Sequence, residues 1–181
     1  PFIMEVYDTT VEKAAIGSIC VFVGMGSGSV IGAWISDYLK SYTKVMLFSA
    51  VGTIILFALV FYLPMPIWCI FIFLFLGGLV SGGQILYFAA AKEIHSHKIS
   101  GTVVGFTNCW VMTSGLVFAP LLGKLLDMFW SGTIKPDGTR HYEVSCYRLA
   151  FLSLIIGWIV SIILAKFFIK DSYPKSIIHE N

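Results

Sequence analysis

The sequence predicts an all-α integral membrane fold with five transmembrane helices. Of its 181 residues, 57% are hydrophobic and only 12% are charged, and the mean hydropathy is +0.87. Ordinary soluble domains carry about 25% charged residues, and a helix needs about 20 mainly apolar residues to cross a bilayer. Apolar runs of about that length, divided by short polar breaks, lie at residues 14–36, 45–63, 67–91, 100–128 and 148–169.

The first run carries a glycine stripe and ends at a carboxylate. Gly24, Gly28 and Gly32 recur at every fourth residue, so they share one helix face. Each glycine costs a soluble helix roughly 1 kcal/mol relative to alanine, whereas small residues in a membrane let another helix approach closely. The stripe therefore predicts a close helix contact, and Asp37 follows it at the helix end.

The second and third runs are separated by a short connection that contains Pro64 and Pro66. In the third run we predict that Gly78 and Gly82 are packing positions, and Gln84 follows them. A glutamine within a span contacts water, a solute or another helix. The sequence leaves Gln84 open between lining a solute cavity and contacting a helix.

The fourth run places polar residues near the middle of the bilayer. Asn108 lies about 12 Å beyond the start of the run at 1.5 Å per residue, and it shares a face with Gly101 and Gly105. This face predicts either helix packing at the two glycines or contact of Asn108 with a solute. Thr107 and Trp110 lie at a similar depth and are further solute-binding candidates.

The last part of the fourth run and the loop after it are also informative. Pro120 removes a backbone donor and predicts a kink. Lys124 and Asp127 are three residues apart on one face, so we expect them to pair near the helix end. The polar tail at residues 171–181 contains Pro174, and we expect no regular structure there.

Basic residues in the loops predict the orientation, because lysine and arginine concentrate on the cytoplasmic side. Alternate loops divide unevenly, and the richer set is expected to be cytoplasmic. We therefore expect residues 1–13 to lie outside, residues 14–170 to form the membrane domain, and the tail to lie inside. The richer set contains Lys40, Lys44, Lys92, Lys98, Lys166, Lys170 and Lys175.

Several function classes lack support in the sequence. The net charge is only +2 and there is no long basic run, so nucleic acid is not an expected partner. The four cysteines have neither CxxC spacing nor an adjacent histidine, and we predict no metal site and no cofactor. No GxSxG sequence is present and the histidines all lie outside the runs, so we predict no catalytic residues. No carboxylate lies in the middle of a run, so a proton-coupling acid is expected only at a helix end or outside these runs.

The loop after the first run reads Ala33-Trp-Ile-Ser-Asp37-Tyr38-Leu-Lys40-Ser-Tyr-Thr-Lys44. Together with the glycine-rich fourth run, it resembles the C-terminal half of a major facilitator superfamily transporter. That family carries a glycine, an aspartate four residues later, basic residues and a second glycine after the second helix of each half. Asp37 matches, whereas Ala33 replaces the first glycine, Tyr38 a basic residue and Lys40 the second glycine.

The resemblance covers nearly the whole chain. Residues 1–13 resemble the end of helix seven and its external loop, and the five runs resemble helices eight to twelve. The chain is thus expected to be a fragment, five helices of an incomplete six-helix bundle. Its expected partners are the missing N-terminal half of the same polypeptide and the lipid bilayer.

The resemblance implies a secondary transporter of the plasma (inner) membrane that works by alternating access. We expect a small polar organic solute, such as an amino acid, a carboxylate or a sugar derivative. Asp37, with Lys40 and Lys44, is implied as a latch that faces a helix N-terminus of the missing half, the alternative being a solvated aspartate. A non-transporting scaffold or sensor with the same fold stays an alternative, and a membrane-embedded enzyme is less favoured.

Overall fold

The computed structural model describes residues 2–135 and 138–174, and within them the fold is all-α apart from an isolated β-bridge. Short 3₁₀ segments at Gly82–Ile85 and His97–Ile99 precede α5 and α6. The helices of the described residues are α1 (Phe2–Tyr7), α2 (Val11–Leu39), α3 (Tyr42–Tyr62), α4 (Ile67–Ser81), α5 (Leu86–Glu93), α6 (Ser100–Met128) and α7 (Val144–Phe168).

Five helical segments of the described chain are long and apolar enough to cross a membrane. They confirm the predicted fold class, although the third segment is interrupted where the chain narrows to a 3₁₀ turn between α4 and α5. The α6 helix continues unbroken through Pro120. The segments are Val11–Leu39, Tyr42–Tyr62, Ile67–Glu93, His97–Met128 and Val144–Phe168.

The helix ends follow from local capping. Thr10 accepts a hydrogen bond at its side chain from the Lys13 amide (3.5 Å), so α2 begins at Val11 rather than at residue 14. Ser41 caps α3 in the same way, accepting from the Lys44 amide at 3.2 Å. Between the two helices Lys40 adopts a left-handed conformation (φ +50°), which reverses the chain in two residues.

The helices alternate in direction, so the structure has two ends. One end holds the last residues of α2, α5 and α7 and the first residue of α3. We call it the lysine-rich end, because Lys40, Lys44 and Lys92 lie there. The opposite end carries the loop between α6 and α7, where Ile134 and Arg140 form an isolated antiparallel bridge. We call the described part of this loop, residues 131–135 and 138–143, the hairpin.

The core lies among α2, α3, α4 and α5. The closest helix pair is α2 with α4, and α3 packs on both α4 and α7. Buried apolar clusters form at each end, one around Val45, Met46 and Leu86 and one around Val60 and Ile70. By contrast, α6 contacts α5 and α7 at the edge of the bundle, and none of its residues is buried.

Candidate functional site

The α2 glycine stripe lies directly against the backbone of α4 and the 3₁₀ turn. A Cβ atom built on Gly24 would lie 2.2 Å from the Phe75 carbonyl oxygen, and one on Gly28 would lie 1.8 Å from the Leu79 carbonyl oxygen. At Gly32 the nearest atom would be the Gly83 Cα, at 2.9 Å. Only glycine fits at this separation, so α2 and α4 form a rigid pair.

The glycines of the third span face the same seam from the other side. A Cβ on Gly78 would lie 2.2 Å from the Val21 carbonyl oxygen, and one on Gly82 would lie 2.4 Å from the carbonyl carbon of Gly28. The two stripes therefore interlock over three helical turns. The 3₁₀ turn brings its backbone close enough to α2 to complete the contact.

Gly101 and Gly105 differ from these positions. No atom outside their own helix segment lies within 4 Å of a Cβ built on either glycine. Within the described chain they do not pack on another helix, so the packing predicted at these two glycines stays a prediction. The physical reason is the edge position of α6, which turns this face away from α5 and α7.

The structure does not bring the four solute-binding candidates together. Asn108 is exposed on α6, and Thr107 donates its hydroxyl to the Val103 carbonyl of its own helix at 2.9 Å. Trp110 is 64% exposed, and Gln84 is half-buried in the 3₁₀ turn. No hydrogen bond or ring contact joins one candidate to another in the residues that the structure describes.

Among the described residues, two of the cavities between the helices are mainly apolar. The one near the hairpin, about 370 Å³, is lined by Phe2, Ile3, Leu74 and similar side chains, with Ser18 among its few polar residues. The other lies between α5 and α7 beside Tyr87. Neither contains Asn108 or Gln84, so neither brings together the polar groups that orient a polar solute.

At the lysine-rich end, Asp37 has a partner within the chain. The Tyr173 hydroxyl donates to Asp37 Oδ1 at 3.2 Å, and Lys40 Nζ lies 5.7 Å from the centre of the Tyr173 ring. Tyr173 is buried at 7% exposure. Burial, and next the negative charge of Asp37, raise the pKa of Tyr173, so its phenol stays a donor at neutral pH. Lys44 is exposed, and its amide joins the α3 cap.

The residues just before and after Tyr173 are also held in place. Asp171 accepts hydrogen bonds from the Ser41 hydroxyl and from the Tyr42 amide, the latter at 3.1 Å. Ser172 donates to the Ala90 carbonyl at 3.3 Å, near the end of α5. We expected no regular structure in the tail; residues 171–174 form no helix or strand, but these hydrogen bonds define their path. The rest of that tail, residues 175–181, lies outside the described residues.

At the opposite end the hairpin is tied to two helices. Glu5 of α1 forms an ion pair with Lys135, and its Oε2 atom lies 3.1 Å from Nδ1 of His141. Asp127 accepts from Arg140 Nη1 and from the Tyr142 hydroxyl, each at 2.5 Å. Asp127 therefore does not form the predicted pair with Lys124, because the hairpin folds back over the end of α6 and supplies better-placed donors.

Sequence reasoning missed the groups that hold both ends. Glu5 lies in residues 1–13, which were expected to hold the end of a helix and an external loop, and Asp171 and Tyr173 lie in the tail. The only signal was indirect: Ser41 and Lys40 mark a helix end whose amides need acceptors. Within residues 2–135 and 138–174, no three or more histidine, cysteine or acidic side chains form a group that could hold a metal ion.

Comparison with known proteins gives a family assignment. A family model described as Major Facilitator Superfamily matches residues 1–180. No curated protein and no solved structure matches the chain.

Proposed function

The chain belongs to the major facilitator superfamily, and from this premise we propose that it forms part of a secondary transporter that moves a small polar organic solute by alternating access. An amino acid, a carboxylate or a sugar derivative fits this class. The family consists of multi-pass membrane transporters, and the five apolar helical segments agree with that. We propose no catalytic reaction for the chain.

The observation that carries the solute proposal is the exposure of α6. This span has no buried residue, and Asn108 is exposed near its middle. A polar amide at that depth in a membrane requires a polar partner, and the described helices supply none. We infer that this face lines the solute path between this bundle and the N-terminal half of the protein, with Thr107, Trp110 and Gln84 as further candidates.

The orientation is part of the same proposal. We place the lysine-rich end in the cytoplasm and the hairpin outside, in the plasma (inner) membrane, because lysine concentrates on the cytoplasmic side. Asp37 then lies at the cytoplasmic surface. There its carboxylate, together with Lys40 and Lys44, latches one closed state against a helix N-terminus of the other half.

Uptake measurements with the full-length protein in vesicles test the transport proposal. We expect saturable uptake of at least one solute from a panel of amino acids, carboxylates and sugar derivatives, measured with and without a pH gradient. The absence of uptake across the panel would favour the scaffold or sensor alternative. Hydrolysis or transfer of a lipid substrate would support the enzyme alternative instead.

A matched pair of variants tests the role of Asn108. Asn108→Ala should lower the rate of uptake and leave thermal stability unchanged, since the side-chain amide of Asn108 has no hydrogen-bond partner in the described chain. Ser114→Ala is the control, because the Ser114 hydroxyl is exposed on the same helix and already bonded to the Val111 carbonyl at 2.6 Å. Unchanged uptake kinetics with lowered stability would assign Asn108 to helix packing.

A further inference from the structure

Residues 169–174 cross the lysine-rich end after α7 and contact three other helices. We call this segment the C-terminal clasp. Its first residue, Ile169, packs on the buried cluster of Val45, Met46, Leu86 and Ala90, so the clasp begins inside the core. Ser172 then reaches the Ala90 carbonyl near the end of α5.

The middle of the clasp caps α3. The first amides of a helix lack intrahelical partners and carry a partial positive charge. Asp171 places its carboxylate there, where it accepts from the Ser41 hydroxyl and, at 3.1 Å, from the Tyr42 amide. The Asp171 Oδ1 atom also accepts from the Tyr173 amide at 3.2 Å, which fixes the turn that aims the Tyr173 ring.

The end of the clasp engages Asp37. The Tyr173 ring lies 5.0 Å from the Tyr42 ring, measured between centroids, and Lys40 lies above its face. This packing leaves the hydroxyl 3.2 Å from Asp37 Oδ1. A phenol donates a hydrogen bond but is not a cation, so Tyr173 orients the Asp37 side chain without forming an ion pair with it.

We propose that the C-terminal clasp is a conformational device in which Tyr173 positions Asp37 and fastens the end of α2 to α3 and α5. Release of the clasp would free Asp37 and loosen the α2–α3 turn. Both changes would shift the equilibrium between the closed and the open state of the lysine-rich end. The inference rests on the proposed role of Asp37 as a latch. The clasp contacts themselves do not depend on any solute.

Carboxyl labelling and hydrogen exchange of the full-length protein in lipid nanodiscs test the clasp without knowledge of the solute. The first variant, Tyr173→Phe, keeps the ring and removes the donor to Asp37. We expect carbodiimide-driven labelling of Asp37, read by mass spectrometry, to rise several-fold. Tyr38→Phe is the control: Tyr38 is 79% exposed and stacks on Trp34, so labelling should match the wild type.

The second variant, Asp171→Asn, removes the charge from the α3 cap. Hydrogen exchange of the Tyr42 amide should rise on the order of tenfold, as expected for the loss of a hydrogen bond to a charged group. Wild-type labelling of Asp37 in Tyr173→Phe together with wild-type exchange in Asp171→Asn would overturn the clasp. The uptake test of Asn108 involves none of these residues, so a failure of the transport proposal is distinguished from a failure of the clasp.

Discussion

Substitution of Gly28 by alanine is the sharpest test of the helix packing described above. The added methyl group would lie 1.8 Å from the Leu79 carbonyl oxygen and 2.6 Å from the Leu79 carbonyl carbon. Both are backbone atoms, so no side-chain rotation relieves the overlap. The seam between α2 and α4 must open, or one helix must shift along the other.

The separation sets the expected cost. Ordinary contact between nonbonded heavy atoms lies near 3.5–4.0 Å, so the helices must part by roughly 2 Å at this point, and neighbouring contacts lose a large share of their attraction. Overpacking of this kind costs about 1–3 kcal/mol, and we expect the upper end because Gly24 and Gly32 share the seam. The better helix propensity of alanine returns roughly 1 kcal/mol. The net loss is about 2 kcal/mol.

Two further glycines provide a graded series. A Cβ on Gly26, in the same helix, meets nothing within 4 Å, so Gly26→Ala should be neutral or stabilising. A Cβ on Gly77 would lie 3.0 Å from ring atoms of Phe57, which can rotate away, so Gly77→Ala should be intermediate. Loss of folded full-length protein on heating in detergent micelles, followed by size-exclusion chromatography, ranks the three variants.

The order of the three thermal stabilities tests the close contact between α2 and α4. Equal thermal stability of Gly28→Ala and Gly26→Ala would refute the close α2–α4 contact, because the two substitutions have the same intrinsic effect on a helix. If Gly28→Ala yields no folded protein, the order of Gly26→Ala above Gly77→Ala still tests the reasoning. A destabilised Gly26→Ala would contradict it.

Three other predictions address single sites. Thr53→Val should leave stability equal or raise it by about 1 kcal/mol, measured by the same heating assay, since the Thr53 hydroxyl is buried and has no hydrogen-bond partner in the described chain. Lys40→Gly should raise stability because glycine adopts the left-handed φ of +50° without a side-chain penalty; a lower stability would mean that the cation–π contact outweighs the strain. Glu5→Gln should speed cleavage of the hairpin by a protease of broad specificity more than Asp127→Asn does, because the Glu5 side chain is 13% exposed and that of Asp127 49%; equal cleavage would contradict this order.

The fold was accessible from the sequence because its signal is local. A membrane span is recognised by its length and apolar content, and each of the five predicted runs coincides with a helical segment. Glycine periodicity also identified which face of a helix is smooth, but it does not identify the helix that packs on that face. Gly28 and Gly105 belong to similar stripes, yet one touches backbone and the other faces open space. The difference lies in how α2 and α6 are placed in the bundle, which no short stretch of sequence encodes.

The candidate site was less accessible because its contacts are distant in sequence. Asp37 was identified from its motif, but its bond to Tyr173 joins residues 136 positions apart. Asp171 likewise bonds to Ser41 across 130 positions. A short polar tail after the last span carries no periodic pattern. The path of the tail is determined by helix ends whose amides need hydrogen-bond acceptors. Which helix ends lie near the tail is known only from the folded structure.

One departure of the loop from its family pattern, Lys40, coincides with a contact of the clasp. Lys40 replaces a glycine that would adopt a left-handed conformation without strain, and Lys40 adopts that conformation nonetheless. Its side chain lies over the Tyr173 ring, whose hydroxyl reaches Asp37. A glycine would relieve the backbone and remove this cation. The strained backbone at Lys40 therefore holds a cation over the ring that reaches Asp37, and a glycine at this position would give up that contact.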